Sequence, residues 1–159
     1  MPLTARTVAY ADQDIPLTGQ LYGDAGGVPR PGILLIHGGA GLDDHARGQA
    51  SRYAALGYVV FACDMLGDGV AGDRQRLIGS LTAMRDDPGP LAGRARAGLA
   101  ELAGCGLARE PIAAVGFCFG GLAALSALAI TPPKTQHAPA LAQGGSSARP
   151  EPATADAAD

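Results

Sequence analysis

The chain has 159 residues, enough for one domain with a core, and 47% of them are hydrophobic but only 4% aromatic, so that core must be built from small, closely packed side chains. A formal charge of −3 with scattered Lys and Arg argues against a nucleic-acid or anionic-membrane surface, and the three cysteines make neither a CxxC pair nor metal-ligand spacing with His37, His45 or His137. The N-terminus "MPLTARTVAYADQD" carries no apolar signal region and no apolar run reaches the ~18 residues a membrane span needs, so a reducing, cytoplasmic setting is expected.

In chain order, "TVAYA" and "PLTGQLYG" read as short strands, and the Gly/Pro cluster "GDAGGVPRP" reads as a turn. Ile33–Ile36 in "GILLIHGG" is an uninterrupted apolar run between glycines, the pattern of a parallel strand buried on both faces. In "DDHARGQASRYAALG", Ala46, Ala50, Tyr53 and Ala54 share one helical face, Asp43 or Asp44 supplies the N-cap, and Gly57 is placed to end the helix. "YVVFACDM" is a second buried strand and "LGDGVAGDR" a loop. Helices are expected over 75–86 and, after "DDPGP", over about 90–103. In the latter, Leu91, Ala95, Leu99, Leu102 and Ala103 face inward, and Arg94 and Glu101 face away.

"PIAAVGF" is the third buried strand, and "GGLAALSALAI" opens a helix apolar nearly all round. The alternation of strand and helix from residue 32 predicts an α/β fold with a mostly parallel sheet and flanking helices, of which residues 1–130 form the N-terminal part. Residues 131–159 hold five prolines and show no periodicity, so a disordered Pro/Ala-rich tail is expected there. The abrupt change near residue 131 fits either an out-of-frame reading of a GC-rich gene or an evolved linker.

The junction between the third strand and its helix carries the chemistry. G-x-C-x-G-G at residues 116–121 makes a tight turn that lifts Cys118 clear of the sheet. Gly116 and Gly120 allow strand, turn and helix to meet, and Gly121 lets the helix pack near the strand. With serine in place of cysteine this is the nucleophile elbow. Helix N-terminal amides and the helix dipole favour a thiolate at Cys118, and the Phe119 N–H is a natural oxyanion donor. A second donor is expected from "HGGAG", at Gly39 or Ala40. His37, ending a strand, is expected to shape its loop through hydrogen bonds rather than to catalyse. His45 reads as a solvated helix residue, Asp64 and Asp68 as turn-forming carboxylates, and Cys63 and Cys105 as small core or loop residues.

The segments "GILLIHGGAGLDDHAR", "LGYVVFACDMLGDG" and "EPIAAVGFCFGG" together resemble the dienelactone hydrolase family of the α/β-hydrolase fold, in order and in spacing, over about residues 5–130. The resemblance implies cleavage of small esters or lactones by a Cys, Asp, His triad, with Cys118 as nucleophile and no cofactor or metal. Two departures stand out. The best-studied members carry a glutamate where this chain has Gly38. The family's acid and histidine follow the nucleophile by several elements, whereas the only candidates after residue 130 are His137, Glu151, Asp156 and Asp159. Hence no base or acid is assigned, and acylation of Cys118 without turnover is expected.

If the sheet ends at the third buried strand, its free edge invites pairing with another chain. A non-catalytic interaction module, self-associating or bound to a partner through that edge, is therefore the competing reading, with a redox-responsive thiol at Cys118 behind it.

Overall fold

A computed structural model describes residues 4–23, 27–67, 70 and 72–130, with side chains as far as Leu125. Strands β1 (Thr4–Asp12) and β2 (Ile15–Gly23) form a hairpin in register from Thr4↔Gly23 to Asp12↔Ile15. Its turn places Gln13 at φ 52°, the left-handed backbone that two-residue hairpin loops require. There follow β3 (Arg30–Ile36), α1 (Asp44–Ala55), β4 (Val59–Cys63), α2 (Arg74–Asp86), α3 (Gly89–Gly104), β5 (Ala108–Gly116) and α4 (Phe119–Ile130).

The sheet order is β1-β2-β4-β3-β5. β4, β3 and β5 are parallel, β2 is antiparallel to β4 and β1 to β2, so four of the five strands point the same way. This is the α/β architecture with a mostly parallel sheet that the alternation predicted.

The two central strands explain why their sequences read as solid apolar runs. Period-2 alternation sends Ile33 and Leu35 of β3, with Val60 and Ala62 of β4, to one face, where Ala46, Ala50 and Ala54 of α1 cover them. Leu34 and Ile36, with Val59, Phe61 and Cys63, go to the other face, under Leu91, Ala95 and Leu102 of α3 and Ala123 and Ala124 of α4. Each fully buried Leu or Ile here contributes ~1.5–3 kcal/mol. With helices on both faces, no position along β3 after Pro31 is left for a polar residue.

The alanine face of α1 starts at the N-cap Asp43, whose carboxylate accepts from Ala46 N–H at 2.9 Å, and the helix is followed by Gly57 at φ 98°. Of the two acidic residues proposed as caps, Asp43 is the one used.

α3 sits closer to the sheet than its sequence indicates, and this rotates its buried face. Gly98 lies against β4 so tightly that a Cβ there would be 2.8 Å from Cys63 Cβ. The buried set is Leu91, Ala92, Ala95, Gly98 and Leu102, while Ala103, expected inside, is exposed. Arg94, expected to face away, instead donates from Nη1 to the Met65 carbonyl, and its Nε is buried with no partner among the described residues.

Among the described strands β5 lies at the edge of the sheet; it begins at Ala108 rather than Pro111, with a bulge opposite Pro31 and Gly32. Ala113 is exposed and Ile112, Ala114 and Val115 are half-buried. Helix α4 is covered on one side only among the described residues, since Leu122 is 51% and Leu125 67% exposed. Its all-round apolar sequence is therefore not matched by all-round burial. The tail expected over residues 131–159 lies outside the described residues. No described helix is long and apolar enough to cross a membrane.

Candidate active site

β5 ends at Gly116 and α4 begins at Phe119, leaving Phe117 and Cys118 to turn the chain. The turn is closed by Gly120 N–H to Phe117 O and Gly121 N–H to Cys118 O, both at 2.9 Å, and is tied to β3 by Phe117 N–H donating to Ile36 O at 3.3 Å. Cys118 takes φ 53°, a left-handed conformation that costs a non-glycine residue ~1–2 kcal/mol, and its side chain is exposed.

The glycines around it are of two kinds. A Cβ on Gly116 would fall 2.0 Å from Gly120 O, and a Cβ on Gly120 would fall 2.5 Å from both Ile36 O and His37 O, so backbone alone forbids a side chain at either. A Cβ on Gly121 would meet nothing nearer than Gly116 O at 3.7 Å, ordinary contact. The close-packing role expected of Gly121 is thus carried by Gly116 and Gly120.

Two sets of amides lie at or beside the elbow without acceptors among the described residues. Phe119, the first residue of α4, makes no hydrogen bond with its N–H among the described residues. Beside the elbow, the loop after β3 forms a turn closed by Gly41 N–H to Gly38 O at 3.2 Å, with Gly41 at φ 85°. Gly39 and Ala40 occupy the centre of that turn, and neither N–H has an acceptor among the described residues. The loop abuts the elbow directly, since a Cβ on Gly38 would lie 3.5 Å from Phe117 O. The turn that holds Gly39 and Ala40 thereby starts beside the elbow that carries Cys118 and Phe119.

His37 is fully buried. Its Nδ1 donates to Gly38 O at 2.7 Å and its Nε2 accepts from Met65 N–H at 3.0 Å, so both ring nitrogens are committed to backbone and the proton sits on Nδ1. That is the loop-shaping role expected from the sequence. Asp64 Oδ1 lies 3.8 Å from Nε2, an approach of two acceptors rather than an ion pair.

The Asp64 carboxylate closes the turn after β4, accepting from Leu66 N–H at 2.8 Å and Gly67 N–H at 3.2 Å. Burial pushes this carboxyl up, and the neighbouring His37 side chain, then the Leu66 and Gly67 amide donors, together pull it down to below the usual carboxylate range. Asp68, its expected companion, lies outside the described residues.

Sequence reasoning missed two anchors of this region. The Tyr10 hydroxyl donates to Asp64 O and accepts from Asp64 N–H, both at 2.9 Å. Burial pushes its pKa far up, helped by Cys63 and Asp64, so it stays a neutral donor. Arg94 holds the next carbonyl, of Met65. Strand alternation puts Tyr10 on the same face as Val8, which is the available signal that it points inward; nothing local identifies its partner. His45 is exposed, as expected, yet its ring meets Phe117 edge-on at 6.0 Å, so it also packs against the elbow.

The other thiols differ from Cys118. Cys63 is fully buried, its pKa pushed up to about 12 by burial and then by Asp64, and Sγ donates to Leu35 O at 3.5 Å. Cys105 is half-buried. Among the described residues, Cys118 bonds to no imidazole or carboxylate, and no group of three or more His, Cys, Asp or Glu could hold a metal. His137, Glu151, Asp156 and Asp159 lie outside the described residues.

A profile of the dienelactone hydrolase family matches residues 17–158. Among solved structures, the chain is similar to a dienelactone hydrolase-like promiscuous phosphotriesterase from metagenomic libraries, at 35% identity and TM-score 0.74 over 79% of this chain and 54% of that one. It shares the fold of a dienelactone hydrolase from Anabaena variabilis, at 23% identity and TM-score 0.59 over 79% of this chain and 56% of that one. It also shares the fold of a cold-adapted esterase from an Arctic intertidal metagenomic library, at 18% identity and TM-score 0.62 over 81% and 56% of the two chains. The chain spans about half the length of the solved structures it matches. No protein of curated function matches it.

Two outcomes follow from this geometry. Gly120→Ala is expected to unfold the elbow or the domain, whereas Gly121→Ala, in an open helical position, should be neutral or stabilising by up to ~1 kcal/mol; thermal melts of the pair check this. Asp64→Asn keeps the acceptor but loses the charge, which should cost about 1 kcal/mol at neutral pH. Because the folded carboxyl is depressed, the parent's advantage is complete above the ordinary value of 3.8 and disappears as pH falls through the lower folded value. Denaturant titrations of both proteins across that range should show the gap closing, and a gap independent of pH would refute the charge's contribution.

Proposed function

The chain belongs to the dienelactone hydrolase family, and on that premise we propose that Cys118 is the nucleophile of a hydrolase acting on ester or lactone bonds of small carboxylic compounds. The observation that carries the reading is the exposed Cys118 at φ 53°, followed at once by an N–H with no acceptor. Sγ as thiolate forms a bond to the substrate carbonyl carbon, and the carbonyl electron pair moves onto oxygen. Phe119 N–H, with Gly39 or Ala40 N–H, receives that oxyanion. Collapse expels the alkoxide or ring oxygen, which takes a proton, and leaves a thioester that water cleaves.

Deacylation needs a base; among the described residues no imidazole is hydrogen-bonded to Cys118, and His37 is fully committed to backbone. The family's acid and histidine come later in the chain than the elbow, so their positions here are proposed to follow α4. Neither metal nor cofactor takes part in this scheme.

Single-turnover chemistry tests the reading. p-Nitrophenyl acetate should release a burst of about one p-nitrophenol per chain and leave an acetyl group on the Cys118 peptide, and Cys118→Ala should abolish both. A burst that survives Cys118→Ala would sink the assignment of the nucleophile. Many turnovers from the intact chain would instead show that a working base lies beyond α4. A p-nitrophenyl phosphotriester belongs in the same assay, since the 35%-identical relative is described as a phosphotriesterase.

The exposed edge favours a second reading, an interaction module that pairs β5 with another chain. Among the described strands β5 lies at the sheet edge, Ala113 is exposed, and Leu125 on α4 is exposed. Sedimentation should then show concentration-dependent association that Ala113→Lys relieves. A monomer at every concentration would remove this reading.

A further inference from the structure

We propose that His37 is a positioning residue for the oxyanion hole, and that the donor it orients is Gly39 rather than Ala40. The proposal rests on the reading of Cys118 as nucleophile and deepens it.

Gly38 C=O and Gly39 N–H belong to the same planar trans peptide and point in opposite directions. Two donors hold the Gly38 oxygen, the buried His37 Nδ1–H at 2.7 Å and Gly41 N–H at 3.2 Å. With that oxygen drawn toward a ring that is fully buried, the Gly39 N–H is turned outward, on the loop that abuts Phe117. No comparable constraint acts on Ala40. Its N–H shares a peptide with the Gly39 carbonyl, which accepts no hydrogen bond among the described residues. A donor that stabilises a transient charge must be held in place beforehand, and only the Gly38–Gly39 peptide is so held.

His37 is itself held. Met65 N–H occupies Nε2 at 3.0 Å, which keeps the proton on Nδ1, where it serves Gly38. Met65 is fixed by Arg94 at its carbonyl, and the preceding Asp64 is fixed by the Tyr10 hydroxyl at both its N–H and C=O. A continuous series of hydrogen bonds thus runs from β1 and α3 through the end of β4 to the oxyanion loop. The ring that links the last two is a neutral donor–acceptor, not an acid or a base.

The test uses two reagents on Cys118 in the full 159-residue chain. Acetylation by p-nitrophenyl acetate develops an oxyanion; alkylation by iodoacetamide does not. In His37→Asn the side-chain amide sits where Nδ1 was and can still donate to Gly38 O. In His37→Gln it reaches the Nε2 position, where it can serve Met65 N–H but not Gly38. His37→Gln should slow acetylation on the order of 10²–10³-fold with alkylation little changed, and His37→Asn should recover most of the loss. Gly39→Pro provides a second route that leaves His37 intact: the second position of a turn favours proline, and a Cβ there meets only Leu81 Cδ1 at 3.5 Å. It removes the proposed N–H and should slow acetylation similarly, again sparing alkylation. Acetylation at the parent rate in His37→Gln or in Gly39→Pro overturns the proposal, as does an equal fall in both reactions. A parent chain that is alkylated but never acetylated, or a burst that persists in Cys118→Ala, overturns the nucleophile reading itself.

Discussion

The site depends on one close approach, that of the first turn of α4 to the end of β3. Gly120 packs on the carbonyls of Ile36 and His37, and Gly116 packs on the carbonyl of Gly120, at separations that exclude even a methyl group. Strand and helix this close leave only Phe117 and Cys118 to reverse the chain, and the backbone reverses in so short a span by placing Cys118 at φ 53°. The exposed thiol and the unpaired Phe119 N–H are consequences of that packing. Strain of ~1–2 kcal/mol at one residue is held by the apolar contacts on both sides of it.

Those contacts come from a sheet whose central strands are covered twice. β3 and β4 give alternate residues to α1 and to α3 with α4, so the ends of both strands are placed from two directions. β3 and β4 are each followed at once by a buried polar residue, His37 and Asp64, the buried polar residues of the described core. They fall where the backbone leaves the ladder and its amides lose their strand partners. His37 and Asp64 satisfy the amides of Met65, Leu66 and Gly67, which would otherwise be buried without acceptors.

The order of elements and the elbow were legible in the sequence because each rests on local pattern. Ile33–Ile36 and the strand through Phe61 are unbroken apolar runs, Asp43 and Gly57 mark the ends of α1, and G-x-C-x-G-G leaves few other structures open to residues 116–121. The inward turn of Arg94, the exposure of Ala103, and the Tyr10 hydroxyl on Asp64 were not legible. Each depends on contacts between segments far apart in the chain, such as Gly98 on Cys63 or Tyr10 fifty-four residues before its partner. Gly121 shows the opposite error: a motif position read as a steric requirement would hold a Cβ at ordinary contact distance, 3.7 Å from Gly116 O. His45 was read from its exposure alone, and its contact with Phe117 joins α1 to the distant elbow.

The same polar residues separate what the described half of the site can do from what it cannot. An imidazole close to a nucleophilic cysteine invites assignment as its base, but a base needs a free lone pair facing the thiol. His37 has its lone pair on Met65 N–H and its proton on Gly38 O, and the ring is enclosed on every side. Its chemistry is spent on holding backbone. Under the proposed function, the elbow and its amides are the groups that would receive an acyl group and stabilise the charge that forms as it arrives. On the proposed reading of Cys118, the acyl-transfer step and the hydrolysis of the acyl-enzyme draw on different groups, and acylation alone can be measured in this chain.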